Sequence, residues 1–84
     1  MDWYELVYLK SGHNRKKVLK ALEQEPLTPT ELAKSLDNHR STISAVLLDL
    51  KDHGFVDCKT PKKHNYRLYS LTKKGSQYLK KLSK

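Results

Sequence analysis

Residues 28–56 read TPTELAKSLDNHRSTISAVLLDLKDHGFV, two short helical patterns with an abrupt break between them. The first opens on Thr28-Pro29-Thr30-Glu31: a threonine at the N-cap, a proline where a helix needs no amide, and a glutamate three residues after the cap. Leu32, Ala33 and Leu36 form its apolar side, and small Ala33 leaves room for a second helix to cross closely. Asp37-Asn38 breaks the pattern, and both residue types tolerate left-handed backbone better than most. The second helix is expected over 39–53, because Ile43, Val46, Leu47 and Leu50 recur at the three-and-four spacing of one helical face. Gly54 then serves as its C-terminal cap.

Arg40, Ser41 and Ser44 face away from that apolar stripe, with Thr42 and Leu48 beside them. Small hydroxyl side chains led by an arginine suit a DNA major groove, where they allow close approach and arginine can read guanine. A capped two-turn helix, a short turn and a longer second helix have the spacing of a helix-turn-helix. The segment ELAKSLDNHRSTISAVLLDLKDHGFV, followed by YRLYSLTKKGSQYL at 66–79, resembles the winged helix-turn-helix transcription regulators common in archaea and bacteria. The multiple-antibiotic-resistance and arsenic-repressor groups are relatives, and the resemblance runs from about Asn14 to Leu82. It implies a mainly α fold with a small β-hairpin: a three-helix core plus wing, with extra N- and C-terminal helices, as a single domain over 1–84. It also implies sequence-specific binding to double-stranded DNA, and dimers built through the first and last helices. Family members often carry glycine and then an apolar residue in the turn, where this chain has Asp37 and Asn38.

Composition is compatible with this. Lys and Arg number 17 against 9 Asp and Glu among 84 residues, a formal charge of +8 that suits a polyanionic partner or a solubilising surface alike, and the helix-turn-helix spacing decides for nucleic acid. The length accommodates one small domain. With Cys58 the one cysteine, neither an internal disulfide nor a multi-cysteine zinc site can form, and Cys58 is expected to pack as a small hydrophobe in a strand. Nothing resembles a signal peptide or an apolar run of membrane length, so a cytoplasmic protein is expected.

Ahead of the motif, the opening MDWYELVYLKSGHN is read as a helix over 1–11, although its aromatic and β-branched residues also fit a strand. A further helix is expected over 14–25, with Asn14 or His13 as cap and Pro26 as stop. Its Arg15, Lys16, Lys17 and Lys20 are read as a solvated face, although charge of this sign so near a helix start favours a compensating acid or phosphate. After the motif, 55–71 is read as a hairpin wing, with strands from Gly54 to Lys59 and from Tyr66 to Leu71 around a basic, proline-broken loop. Thr72 caps a last helix over 73–83, on which Tyr78, Leu79 and Leu82 form an apolar stripe.

The candidate base-reading residues are therefore His39, Arg40, Ser41, Thr42 and Ser44. The candidate backbone-holding residues of the wing are Lys59, Lys62, Lys63, His64 and Arg67, a charge distribution that would also keep an edge hairpin soluble. Trp3, Tyr4, Val7, Tyr78, Leu79 and Leu82 exceed what one three-helix core needs, and are expected to form a homodimer interface unless the two termini simply complete one core. His13, His39, His53 and His64 are scattered without metal-ligand spacing, Asp49 and Asp52 are read as solvated, and no nucleophile-base pair or phosphate loop stands out. No enzyme activity, metal or cofactor is expected. The competing readings are a winged-helix module that docks a protein, to which the outward Leu48 lends itself, and a non-specific DNA-coating protein.

Overall fold

The computed structural model describes residues 2–60 and 67–82. Five helices and two strands follow one another as α1 (Trp3–Ser11), α2 (Arg15–Gln24), α3 (Pro29–Ser35), α4 (Arg40–Asp52), β1 (Val56–Cys58), β2 (Tyr69–Leu71) and α5 (Lys73–Leu82). The open choice at the N-terminus resolves as helix. Asp2 caps α1, its side chain accepting from the Tyr4 amide at 2.9 Å, and Leu6 and Leu9 are the residues α1 buries.

The α3 cap forms in both directions. Thr28 Oγ1 accepts from the Glu31 amide at 3.2 Å while Glu31 Oε1 accepts from the Thr28 amide at 3.0 Å, which satisfies two of the donors a helix start leaves open. At its other end the chain reverses through a Schellman turn. The Asn38 amide donates to the Ala33 carbonyl at 2.9 Å and the Asp37 amide to the Lys34 carbonyl at 3.3 Å, with Asp37 at φ 51°. Aspartate thus holds the left-handed position where glycine is usual, and the turn closes without it.

Asn14 departs from its expected role. It occupies the N-cap of α2 but makes no capping bond; its Oδ1 accepts from Asn38 Nδ2 at 3.1 Å, tying the start of α2 to the turn between α3 and α4. Val18, Leu19 and Leu22 of α2 then meet Leu32 and Ala33 of α3 and Ile43, Leu47 and Leu50 of α4 in one core, closed by Phe55 and Leu79.

Both strands are shorter than their sequence pattern suggests. They pair antiparallel with Val56 opposite Leu71 and Cys58 opposite Tyr69, and Cys58 is a buried free thiol. Tyr69 also exchanges two backbone bonds with Leu27, at 3.0 and 2.9 Å, so that the segment before α3 adds an isolated bridge to β2 unannounced by any strand-like run. The Thr72 hydroxyl accepts from the Gly75 amide at 3.0 Å and caps α5. Gly75 lies so close to the Phe55 carbonyl that a Cβ there would stand 2.2 Å from the oxygen.

Tyr78, Leu79 and Leu82 are 5, 1 and 9 % exposed and belong to the core of a single chain, which corrects their assignment to a surface between two copies. The Tyr78 ring meets Phe55 edge-on at 5.1 Å, and its hydroxyl accepts from the Asp2 amide and donates to Glu5. The apolar stripe of α5 is thus consumed by α2, α1 and Phe55. Trp3, Tyr4 and Val7 remain outside, at 69, 84 and 45 % exposure.

Candidate nucleic-acid interface

The candidate surface starts at the turn. Because Asn38 Oδ1 accepts from the His39 amide at 2.9 Å, the chain enters α4 with the His39 side chain exposed and making no capping bond. No acidic side chain occupies the first turn of α4, so its amide end keeps the partial positive charge that favours an anion. Arg40, Ser41 and Thr42 are exposed and Ser44 is half-buried. Ala45 and Leu48 continue the same outer face, both exposed. Ala45 was legible as a member of this face from its position three residues before Leu48, yet a methyl group advertises no chemistry of its own.

The inner side of α4 is held at both ends. Ile43, Leu47 and Leu50 are fully buried. Toward its C-terminus, Asp49 is partnered although still half-exposed: the Tyr8 hydroxyl of α1 donates to it, and Arg15 of α2 pairs with it at 3.7 Å. Arg15 also lies over the Tyr8 ring at 3.7 Å, and the His53 ring stacks on Tyr8 at 4.1 Å. Among the basic residues at the start of α2, Arg15 therefore finds both an acid and an aromatic face, while Lys16, Lys17 and Lys20 are exposed. Burial, and then the bond to Asp49, push the Tyr8 phenol well above the usual tyrosine range, so Tyr8 stays a proton donor at any physiological pH. His53 is likewise part of this cluster: its Nδ1 lies 2.9 Å from the Asp49 carbonyl oxygen. Lys74 completes the support by donating to the His53 carbonyl at 2.7 Å while pairing with Glu5 at 2.7 Å.

In the wing, the Lys59 amide donates to the Leu68 carbonyl at 2.7 Å, and Lys59 and Arg67 are both exposed. Lys62, Lys63 and His64 lie outside the described residues. Among the described residues no group of three His, Cys, Asp or Glu side chains could hold a metal ion, and no helix is long and apolar enough to cross a membrane.

Residues 3–84 match the family described as the HVO_A0261 N-terminal domain. A search of curated proteins finds no match. Among solved structures the chain is similar to the PcaV transcriptional regulator of Streptomyces coelicolor, with a TM-score of 0.76 and 29 % identity over 84 % of this chain and 54 % of that one. It is also similar to a possible transcriptional regulator for arsenical resistance, with a TM-score of 0.73 and 26 % identity over 93 % of this chain and 79 % of that one. The MepR–DNA complex of S. aureus shares the fold, with a TM-score of 0.79 at 19 % identity over 95 % of this chain and 68 % of that one. The chain spans about half the length of the PcaV regulator.

Proposed function

The chain belongs to the HVO_A0261 N-terminal domain family and has the fold of winged helix-turn-helix transcriptional regulators, and from that premise we propose that it binds double-stranded DNA sequence-specifically. In this reading α4 enters the major groove and the wing grips the flanking backbone. The observation that carries it is the outer face of α4: Arg40, Ser41, Thr42, Ser44 and Ala45 point outward from a helix anchored behind by its core and by Asp49. A rigid helix can present an arginine fork to guanine without losing affinity to reordering. His39 and the uncapped start of α4 would meet a phosphate. Lys59, Lys62, Lys63, His64 and Arg67 supply backbone contacts, and a chain of charge +8 gathers them on a polyanion.

A homodimer forms part of the same proposal. With Tyr78, Leu79 and Leu82 spent on the core, the exposed Trp3, Tyr4 and Val7 of α1 are the apolar surface left for a second copy. Two copies would set their recognition helices on successive major grooves about 34 Å apart, matching a palindromic site. The protein would act in the cytoplasm as a regulator, with neither catalytic residues nor a resident metal.

Fluorescence anisotropy with the duplex upstream of its own gene and a scrambled duplex, each at several salt concentrations, tests the reading. Preference for its own upstream DNA by about a thousandfold, with a steep salt slope, is the expected result. Equal affinity for both duplexes would make it a coating protein. No binding at low salt would favour a protein-docking module, which the exposure of Leu48 would suit. Sedimentation at micromolar concentration tests the dimer, and a single species of 9.8 kDa would remove the palindrome from the proposal.

A further inference from the structure

Hydrogen bonding to bases leaves one feature of the reading face unused. Leu48 is 52 % exposed on the side of α4 that also presents Ser41, Ala45 and half-buried Ser44. It follows Ala45 by three residues, Ser44 by four and Ser41 by seven, so the four share one stripe. An apolar side chain on that stripe gains little from the polar edges of guanine, cytosine or adenine, and it would strip water from a cytosine amino group without replacing the hydrogen bond. Thymine alone offers the major groove a methyl group.

We propose that Leu48, flanked by Ala45, reads the C5 methyl of a thymine, making the protein selective for an A·T pair within about four base pairs of the pair met by Arg40. The inference rests on the DNA-binding reading and adds a base preference to it. Its geometry follows from the helix: eight residues separate Arg40 from Leu48, about 12 Å of rise, which matches the ~12 Å width of the major groove and three to four base-pair steps of ~3.4 Å. The small side chains of Ser41, Ser44 and Ala45 between them leave the groove floor within reach. Asp52, exposed one turn beyond Leu48, brings a negative charge that phosphates repel and so marks where the contact stretch ends.

The test selects duplexes from a randomised pool with the full chain, then replaces each thymine of the selected site by deoxyuridine, one at a time. Binding is read by anisotropy for the unmodified protein, Leu48→Ala and Arg40→Ala. Deoxyuridine removes the methyl and keeps every hydrogen bond. One thymine, within four pairs of the guanine whose discrimination Arg40→Ala loses, should cost about fourfold in affinity, equivalent to ~0.8 kcal/mol for one buried methyl. In Leu48→Ala that ratio should fall to about one. Deoxyuridine with no effect at any position, or an effect that persists in Leu48→Ala, would overturn the methyl reading and leave DNA binding intact. A pool that yields no preferred duplex would overturn the sequence-specific reading, and the thymine preference with it.

Discussion

Replacing Gly75 by alanine should cost about 2 kcal/mol of stability, although glycine inside a helix is ordinarily the weaker choice by about 1 kcal/mol. A Cβ at this position would stand 2.2 Å from the Phe55 carbonyl oxygen and 2.8 Å from Leu71 Cδ1, where ordinary contact begins near 3.4 Å. The obstacle is backbone, so α5 itself must retreat by about 1 Å, and overpacking of this kind costs about 1–3 kcal/mol. Retreat also stretches the bond by which the Thr72 amide donates to that same carbonyl, at 3.1 Å, which contributes about 1 kcal/mol. Against these stands the helix-propensity gain of alanine. For a domain this size the net effect should lower the melting temperature by about 8–16 °C, read by circular dichroism and repeated in urea. Gly54 supplies the contrast: at φ 82°, with only Lys74 atoms at 3.7 and 3.8 Å from a built Cβ, its requirement is torsional, not spatial. Asparagine should therefore be tolerated better than alanine at Gly54 and worse than alanine at Gly75. A Gly75→Ala protein melting at or above the unmodified one would refute the close-approach reasoning.

Asp37→Val places a β-branched side chain at φ 51° and should destabilise by about 1–2 kcal/mol in urea, whereas Asp37→Gly should be neutral or mildly stabilising. Thr28→Ala removes one arm of the reciprocal cap and should lower stability by about 1 kcal/mol, by the same assay. Arg40→Ala should relax specificity at one base pair by about 1–3 kcal/mol, while Lys59→Ala should weaken all duplexes alike and reduce the salt slope by about one unit; Arg40→Ala binding unchanged would dismiss the groove assignment. The Tyr8 phenol titrates higher in the folded chain than in the unfolded one, so its stabilisation is whole below the unfolded value near pH 10 and is lost as pH rises beyond it. Unmodified protein should accordingly lose more stability between about pH 9 and pH 11 than Tyr8→Phe, and equal losses would exclude the buried Tyr8 phenol as the source.

What could be read in advance was local. The capping box at Thr28, the cap at Thr72, the apolar period of α4 and the glycine stop at Gly54 each act within a few residues, and each forms. Partners distant in sequence were another matter. Asp49 looks solvated on a helical wheel because the hydroxyl that reaches it belongs to Tyr8, 41 residues earlier. Asn14 looks like a cap until Asn38, 24 residues on, claims its oxygen. The stripe of α5 looked surplus because the area of a core cannot be estimated without knowing that α1 crosses Phe55 and Tyr78. The Leu27–Tyr69 pairing carries no period at all, being a single rung. On the outer face of α4, exposure was legible for Arg40 and Leu48 from the wheel, whereas the contacts that hold Asp49 behind it came from α1 and α2.

The contacts of α1 with α5 have a consequence for the order in which the molecule assembles. Asp2 and Glu5 find Tyr78 at sequence separations of 76 and 73, and Glu5 finds Lys74. On the ribosome α1 is made well before these partners in α5. Until α5 is made, Asp2 and Glu5 lack these partners, while the contacts of α1 with Arg15 of α2 lie close in sequence. Closing α1 onto α5 ties a loop almost as long as the chain itself, the entropically dearest contact in the fold. Destabilising α5 should therefore loosen α1 before it disturbs the helix-turn-helix.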